Sequence, residues 1–203
     1  MTKILVTGGA GYIGAHTLVE LSANKYKPVI VDNLCNTSVQ NIKGVEKIIG
    51  KHIPFYNVDC TNKEALNDVF EQEKNIEGVI HFAAYKSVEE SVREPEKYHS
   101  NNIGSLKVLL DLMKKHKLED IIFSSSCTVY GSPDVLPVCE SAPFKKAESP
   151  YAETKQECEV LISKNLCNSV SLRYFNPIGS HDSGLIGDCS NDNASNLVPI
   201  LTE

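Results

Sequence analysis

Lys3-Ile4-Leu5-Val6-Thr7-Gly8-Gly9-Ala10-Gly11-Tyr12-Ile13-Gly14 opens the chain almost at its first residue. Ile4, Leu5 and Val6 form the short apolar run expected of a buried strand. Gly8, Gly9, Gly11 and Gly14 follow at once as a tight loop. A helix pattern then opens at Tyr12 and continues through Ile13, Leu18, Val19 and Leu21. Strand, glycine turn and helix N-terminus together make a cradle for a pyrophosphate. Glycine lets the backbone approach the phosphates, and the orphan N–H groups and helix dipole favour their charge. The loop fits GxGxxG on Gly9, Gly11 and Gly14, and also GxxGxxG on Gly8, Gly11 and Gly14. Either spacing predicts a dinucleotide site, with a tight structural turn as the alternative.

The next strand sharpens this reading. Pro28-Val29-Ile30-Val31 ends in Asp32, a little over twenty residues past the loop. An acid there accepts hydrogen bonds from the adenosine 2′-hydroxyl and repels a 2′-phosphate, which favours NAD over NADP. The alternative is that Asp32 merely starts a turn with Asn33.

Beyond this point strand-like runs keep alternating with helical ones, the mark of an α/β fold with a doubly wound parallel sheet. Strands are expected near Lys3–Thr7, Pro28–Asp32, Ile53–Val58, Gly78–Phe82, Asp120–Ser125 and Ser169–Phe175. Helices are expected near Tyr12–Asn24, Val39–Ile49, Lys63–Glu73, Tyr98–Lys115 and Tyr151–Lys164. In the second helix Val39, Ile42, Val45 and Ile49 fall on one face, and Pro95 should break or kink the approach to the fourth. Cys127–Pro150 and Asn176–Pro199 are irregular. Both follow strand C-termini, where open α/β sheets bind ligands, and long loops in that position are more often functional than idle.

Composition sets outer limits. The chain has 203 residues, 41% hydrophobic and 23% charged, which suits a soluble globular protein with one sizeable core. A net charge of −6 gives no basic footprint for nucleic acid. No apolar run approaches the roughly 18–20 residues that span a membrane. The first strand begins within a few residues of the N-terminus, leaving no room for a signal peptide. The seven cysteines are odd in number, scattered from Cys35 to Cys189, and form no C-x-x-C pair. That argues against a zinc or other metal site and against a disulfide framework, and it suits a reducing cytoplasm.

Two further stretches carry chemistry. Tyr151-Ala-Glu-Thr-Lys155 places a tyrosine and a lysine one helical turn apart on the same side. With eight tyrosines in a lysine-rich chain, about one such pair arises by chance, so context decides. Here the pair follows the long loop after the fifth strand. A tyrosine in that place can act as general base towards a sugar hydroxyl. Its reference pKa near 10 would have to fall by about 2–3 units, or roughly 3–4 kcal/mol. A unit charge about 5 Å away contributes about 3 kcal/mol at an effective dielectric near 20. Lys155 and the positive ring of NAD⁺ together suffice. The second stretch, Ile121-Ile122-Phe123-Ser124-Ser125-Ser126, ends a buried strand in hydroxyls that can bond a substrate oxygen. Turn chemistry is the plainer reading for serines at a strand end.

These motifs occur in the order and spacing of a known family. GGAGYIG, Asp32, HFAAYKSVEES, FSSSCTVYG, YAETK and LRYFNPIG resemble the extended short-chain dehydrogenase/reductases across essentially the whole chain. Within them, SSSCTVYG with RYFNPIG is similar to the UDP-glucose 4-epimerase branch. The resemblance implies hydride transfer from sugar C4 to a tightly held NAD, rotation of the 4-keto intermediate, and return of the hydride to its other face. It gives Tyr151 the role of base and acid at the C4 oxygen. Lys155 would hold the nicotinamide ribose, and Ser126, with Thr128 nearby, would bond the C4 oxygen. Gly8, Gly11, Tyr12, Ile13, Gly14, Asp32, Asn33, Leu34, Cys35, Asn36, Thr37, Asp59, Cys60, Phe82, Ala83, Lys86, Asn101 and Phe175 would line the cofactor. Lys86 also suits the pyrophosphate by charge alone. Asn176 and Asn196 would contact the UDP-sugar.

The resemblance further implies a dinucleotide-binding domain over residues 1–175 and the start of a substrate-binding region over 176–203. Family members continue well past Glu203 into a part that grips uracil and sugar, so weak or no turnover is expected of this chain. Tyr85 is bulkier than the residue frequent there in relatives. Related dehydratases place Asp and Glu where Cys127 and Thr128 stand here, and these two cannot do that acid–base work. A non-catalytic NAD-binding fragment, or an epimerase for another nucleotide sugar, remain the alternatives. Family members commonly pair as homodimers, with the helices near Tyr98–Lys115 and Tyr151–Lys164 as candidates here.

Overall fold

Leu5 and Val6 have no exposed surface, and the reason is their place in the middle of a sheet. The computed structural model describes residues 1–165 and 167–188. Strands β1 (Lys3–Thr7), β2 (Lys27–Val31), β3 (Phe55–Tyr56), β4 (Ile76–His81), β5 (Asp120–Ser126) and β6 (Asn168–Tyr174) form one parallel sheet in the order β3-β2-β1-β4-β5-β6. A strand covered on both faces needs a continuous apolar run. Leu5, Val29 and Val31 join one core with Leu106, Leu109 and Met113, while Val6 and Ile30 join the other with Leu18, Ile42 and Val45. The chain turns from building one side of the sheet to the other between β1 and β4. Such a switch point opens a crevice at the strands' C-terminal ends.

Helices α1 (Tyr12–Ala23), α2 (Val39–Ile49), α3 (Lys63–Gln72), α4 (Val88–Arg93), α5 (Pro95–Tyr98), α6 (Gly104–Lys115) and α7 (Pro150–Ser163) connect the strands. Strand β1 and helix α2 match the sequence expectation residue for residue. Strand β3 is shorter than Ile53–Val58, because it is an edge strand that pairs only with Ile30 and Val31. Helix α4 was not expected. Ser87 starts it by accepting from Glu90 N at 3.1 Å, with Glu89 and Glu90 in its first turn, which suits the helix dipole. Pro95 starts α5 instead of kinking it, as its missing N–H and fixed φ allow. A π-type turn over His99–Ile103 then leads into α6. Val39 is exposed, contrary to the expected apolar face, and Asn41 and Gly44 are buried in its stead. Gly44 is packed so closely that a Cβ there would stand 2.3 Å from Leu185 O.

Residues after β6 return across the first half of the sheet. Tyr12 Oη donates to Gly179 O at 2.6 Å, and Ile186, 2% exposed, joins the core of α1 and α2. No helix among the described residues is long and apolar enough to cross a membrane.

Candidate functional site

Glycine geometry builds one wall of the site. Gly8 has φ +70°, and a Cβ on it would meet Ala83 N at 2.6 Å and Phe82 C at 2.8 Å. A Cβ on Gly14 would lie 2.4 Å from Gly8 O. The loop therefore folds against the end of β4 and against α1 only because both positions lack side chains. Gly9 instead faces Ile30 and Val6, so the arrangement at the cleft is that of Gly8, Gly11 and Gly14. Gly11 caps α1 with no side-chain hydrogen bond, which leaves the first-turn N–H groups for a ligand.

Asp32 holds this loop in place. It is 8% exposed, and its two carboxylate oxygens accept from Ala10 N at 3.0 Å and Leu34 N at 2.9 Å. Asp32 starts a turn, as its plainer reading had it, and it also borders the cavity. Burial raises its pKa, and the two backbone bonds oppose the rise. Thr37 Oγ1 and Asn41 Nδ2 both donate to Ala10 O, at 2.8 and 2.9 Å. The two peptide groups that flank Ala10 are thus both fixed.

The C-terminal end of β5 and the N-terminal half of α7 supply the opposite wall. Lys155 is 3% exposed and donates from Nζ to Ser124 O at 2.7 Å. Its Nζ lies 4.9 Å from the Phe123 ring centre and 5.8 Å from that of Tyr151. Ser126 Oγ accepts from Thr128 Oγ1 at 3.0 Å and from Thr128 N at 3.3 Å, which leaves its own proton to donate. Tyr151 packs edge-on against buried Tyr98, with ring centres 6.5 Å apart. The sequence argument asked for a depressed Tyr151 pKa, and here it is raised. Burial is the main cause, Ser126 opposes it, and Cys127 adds to it. Lys155 does not offset that burial, because its own lowered pKa leaves it uncharged before the phenol ionises.

Burial lowers the Lys155 pKa from 10.5 to about 8, and nearby Cys158 and Glu159 counteract only part of this. Between these two values the unfolded chain binds the proton and the folded chain does not, so stability rises with pH across that window. Below about pH 8 both forms are charged, and the buried ammonium costs the fold on the order of 3 kcal/mol. Lys155→Met is expected to raise the melting temperature at pH 7 and to flatten the rise between pH 8 and 10. Thermal melts across that range check it. A variant less stable than the parent at pH 7 would contradict the assignment.

A single cavity of about 670 Å³ gathers these walls. Gly8, Gly11, Tyr12, Ile13, Gly14, Asp32, Asn33, Cys35, Asn36, Thr37, Asp59, Cys60, Phe82, Ala83, Lys86, Asn101, Ser126, Thr128, Tyr151, Lys155, Phe175 and Asn176 all border it. Leu34 does not. Its φ of 58° follows the Asp32 turn and directs the side chain into the core of α1 and α2. Asn196 lies outside the described residues. Lys86 Nζ is 3.8 Å from Asp188, a contact the sequence did not foretell. Asn102 was missed too. It accepts from Tyr85 N at 2.9 Å and donates to Tyr85 O at 3.1 Å and Thr154 Oγ1 at 3.3 Å, tying the loop after β4 to α7. No local sequence signal marks it, since its partners are 17 and 52 residues away. The six described cysteines are free thiols, and the described residues contain no cluster able to hold a metal ion.

A glycine-lined crevice at the switch point of a parallel sheet is Rossmann-like, the arrangement that binds dinucleotides, and hydroxyl and amine groups stand beside it. Comparison with known proteins narrows this class. The chain belongs to the NAD dependent epimerase/dehydratase family, which it matches over residues 4–201. It is 49% identical to a UDP-glucose 4-epimerase of Dictyostelium discoideum, with 99% of this chain and 59% of that protein aligned. It is 45% identical to one of Drosophila melanogaster, covering 98% and 60% respectively. A crystal structure of UDP-glucose 4-epimerase from Bifidobacterium longum in complex with NAD⁺ and UDP superposes with a TM-score of 0.94 at 43% identity, over 98% of this chain and 60% of that one. The chain thus spans about three-fifths of the length of these relatives.

Proposed function

We propose that the chain is the cofactor-binding and catalytic portion of a UDP-glucose 4-epimerase, an NAD-dependent isomerase that interconverts UDP-galactose and UDP-glucose through a 4-keto intermediate. The observation that carries this reading is the meeting of Ser126, Tyr151 and Lys155 with the glycine loop in one cavity. The uncapped α1 N-terminus and the bare Gly8–Gly14 contact fit a pyrophosphate. NAD bound there would take a hydride from a sugar carbon and return it.

The chain's own residues do the rest. Gly8, Gly11, Tyr12, Ile13 and Gly14 hold the phosphates, while Asp32, Asn33, Asp59 and Cys60 border the adenosine end. Tyr151 removes the proton of the sugar C4 hydroxyl and gives it back. Ser126 donates to the same oxygen, its proton turned outward by the two bonds from Thr128. Lys155 holds ribose hydroxyls with its ammonium. Asn176 and Asn196 contact the UDP-sugar. We assign residues 1–175 to the dinucleotide-binding domain and 176–203 to the start of the substrate-binding region. Such an activity would belong to galactose metabolism, and the free thiols among the described residues suit the cytoplasm. A homodimer would pair α6 and α7, where Lys107, Glu157 and Val160 are exposed or half-exposed.

Asp32→Ala is expected to raise relative affinity for NADP and to cost roughly 2 kcal/mol in stability, since two buried N–H groups lose their acceptor. Titration with both dinucleotides, alongside a thermal melt, checks this. Unchanged preference would remove Asp32 from cofactor choice. The deciding experiment for the function is incubation of the purified chain with NAD and UDP-galactose. Reduced-nicotinamide absorbance and UDP-glucose formation support the reading. Bound NAD without hydride transfer would make the chain a binding module only.

A further inference from the structure

One buried carboxylate joins the helix and the strand that carry the two hydroxyls of the site. Glu159 lies one turn beyond Lys155 and two beyond Tyr151 on α7, so all three face the sheet. Its Oε1 accepts from Ser125 Oγ at 2.5 Å and from Arg173 Nε at 3.0 Å, and its Oε2 accepts from Arg173 Nη2 at 2.7 Å. The Glu159 side chain is 9% exposed and that of Arg173 19%. Ser125 and Arg173 are themselves register partners on β5 and β6.

Arg173 reaches further, into the loop that follows Ser126. Its Nη1 donates to Tyr130 Oη and to Glu140 O, both at 3.0 Å. The guanidinium lies 4.9 Å from the Tyr130 ring centre and 5.3 Å from that of Phe144. Five donors in a planar fork make these contacts directional in a way a lysine could not match. Helix α7, strands β5 and β6, and the loop carrying Thr128 therefore meet at one ion pair. A buried pair of this kind adds little stability over apolar side chains of the same size. Its fixed geometry is what distinguishes it.

We propose that Glu159 and Arg173 are positioning residues for the reaction proposed above, holding Ser126 on β5 against Tyr151 on α7 so that both hydroxyls engage one substrate oxygen. The inference rests on that functional reading. Ser125 transmits the effect. It borders the cavity but turns its hydroxyl to Glu159, and it is the chain neighbour of Ser126.

Ser125→Ala tests this with the ion pair intact, whereas Glu159→Gln also breaks the pair and risks the fold. In single-turnover reduction of bound NAD⁺ by UDP-glucose, Ser125→Ala is expected to slow the step about tenfold to a hundredfold, the usual effect of a small misplacement. Dissociation constants for NAD⁺ should stay within about twofold, because no phosphate or ribose contact is touched. Ser125→Thr restores the hydroxyl and should restore the rate. An unchanged rate in Ser125→Ala, or a Thr variant as slow as the Ala variant, overturns the proposal. If the parent chain binds NAD⁺ yet reduces none, the functional reading has failed, and crystal structures of parent and Ser125→Ala then decide this one. A widened Ser126 Oγ to Tyr151 Oη separation supports positioning, and an unchanged one overturns it.

Discussion

Tyr151→Phe is expected to slow hydride transfer by about 10²–10⁴-fold while leaving the dinucleotide bound, the range for losing a general acid–base group. The substitution removes one oxygen and keeps the ring, so the edge-on contact with Tyr98 at 6.5 Å survives. Fold and cofactor affinity should therefore barely change. The reason for so large an effect lies in the surroundings of the phenol. Burial holds its pKa above the ordinary value, and the hydroxyl of Ser126 offsets only part of that. The buried Lys155, itself lowered to about 8, loses its charge before so weak an acid ionises and so does not offset the burial. A positive nicotinamide ring about 5 Å away would contribute about 3 kcal/mol, or roughly two pKa units. With the cofactor in place the phenol would become a usable base. The rate should accordingly rise with pH up to the phenol's pKa in the complex. Tyr151→Phe should lack that rise. Single-turnover rates between pH 6 and 9 test both points. A residual rate within about tenfold of the parent, or the same pH limb in the variant, would remove Tyr151 from the proton transfer.

How much of this was legible beforehand depended on the range of the interactions. Local signals sufficed for β1, where an apolar run meets glycines, and for α2, whose Val39, Ile42, Val45 and Ile49 repeat spans its length. The YxxxK and serine stretches also reached the cavity, because strand C-termini in a parallel sheet share one edge. Leu34 was misread because its backbone turns on a carboxylate two residues earlier, and a left-handed leucine reverses the expected direction of the side chain. Val39 was misread because Asn41 and Gly44 are held inward by Ala10 and Leu185, partners far off in sequence. Asn102, Glu159 and Arg173 carried no local signal at all. Each acts by joining segments that only the folded sheet brings together. Sequence patterns therefore located the groups that border the cavity better than the contacts that join the segments around it.

Gly8→Ala is expected to cost more than about 3 kcal/mol and to abolish dinucleotide binding. Two penalties combine. A left-handed backbone costs an alanine about 1–2 kcal/mol, and here φ is +70°. The new methyl group would also stand 2.6 Å from Ala83 N and 2.8 Å from Phe82 C, which are backbone atoms at the end of β4 and cannot rotate away. Relief requires the glycine loop to lift off β4, and that movement misaligns the N–H groups at the start of α1. Gly50 offers an internal control. Its φ is +68°, but nothing lies within 4 Å of a Cβ there, so Gly50→Ala should lose only the backbone penalty of about 1–2 kcal/mol. For a chain of this size each kcal/mol shifts the melting temperature by about 2–4 °C. Gly8→Ala should then melt at least about 6 °C below the parent and show no NAD titration, while Gly50→Ala melts only a few degrees lower and binds NAD normally. Equal melting points for the two variants, with NAD affinity retained in both, would mean that the close approach of the loop to β4 does not shape the cradle.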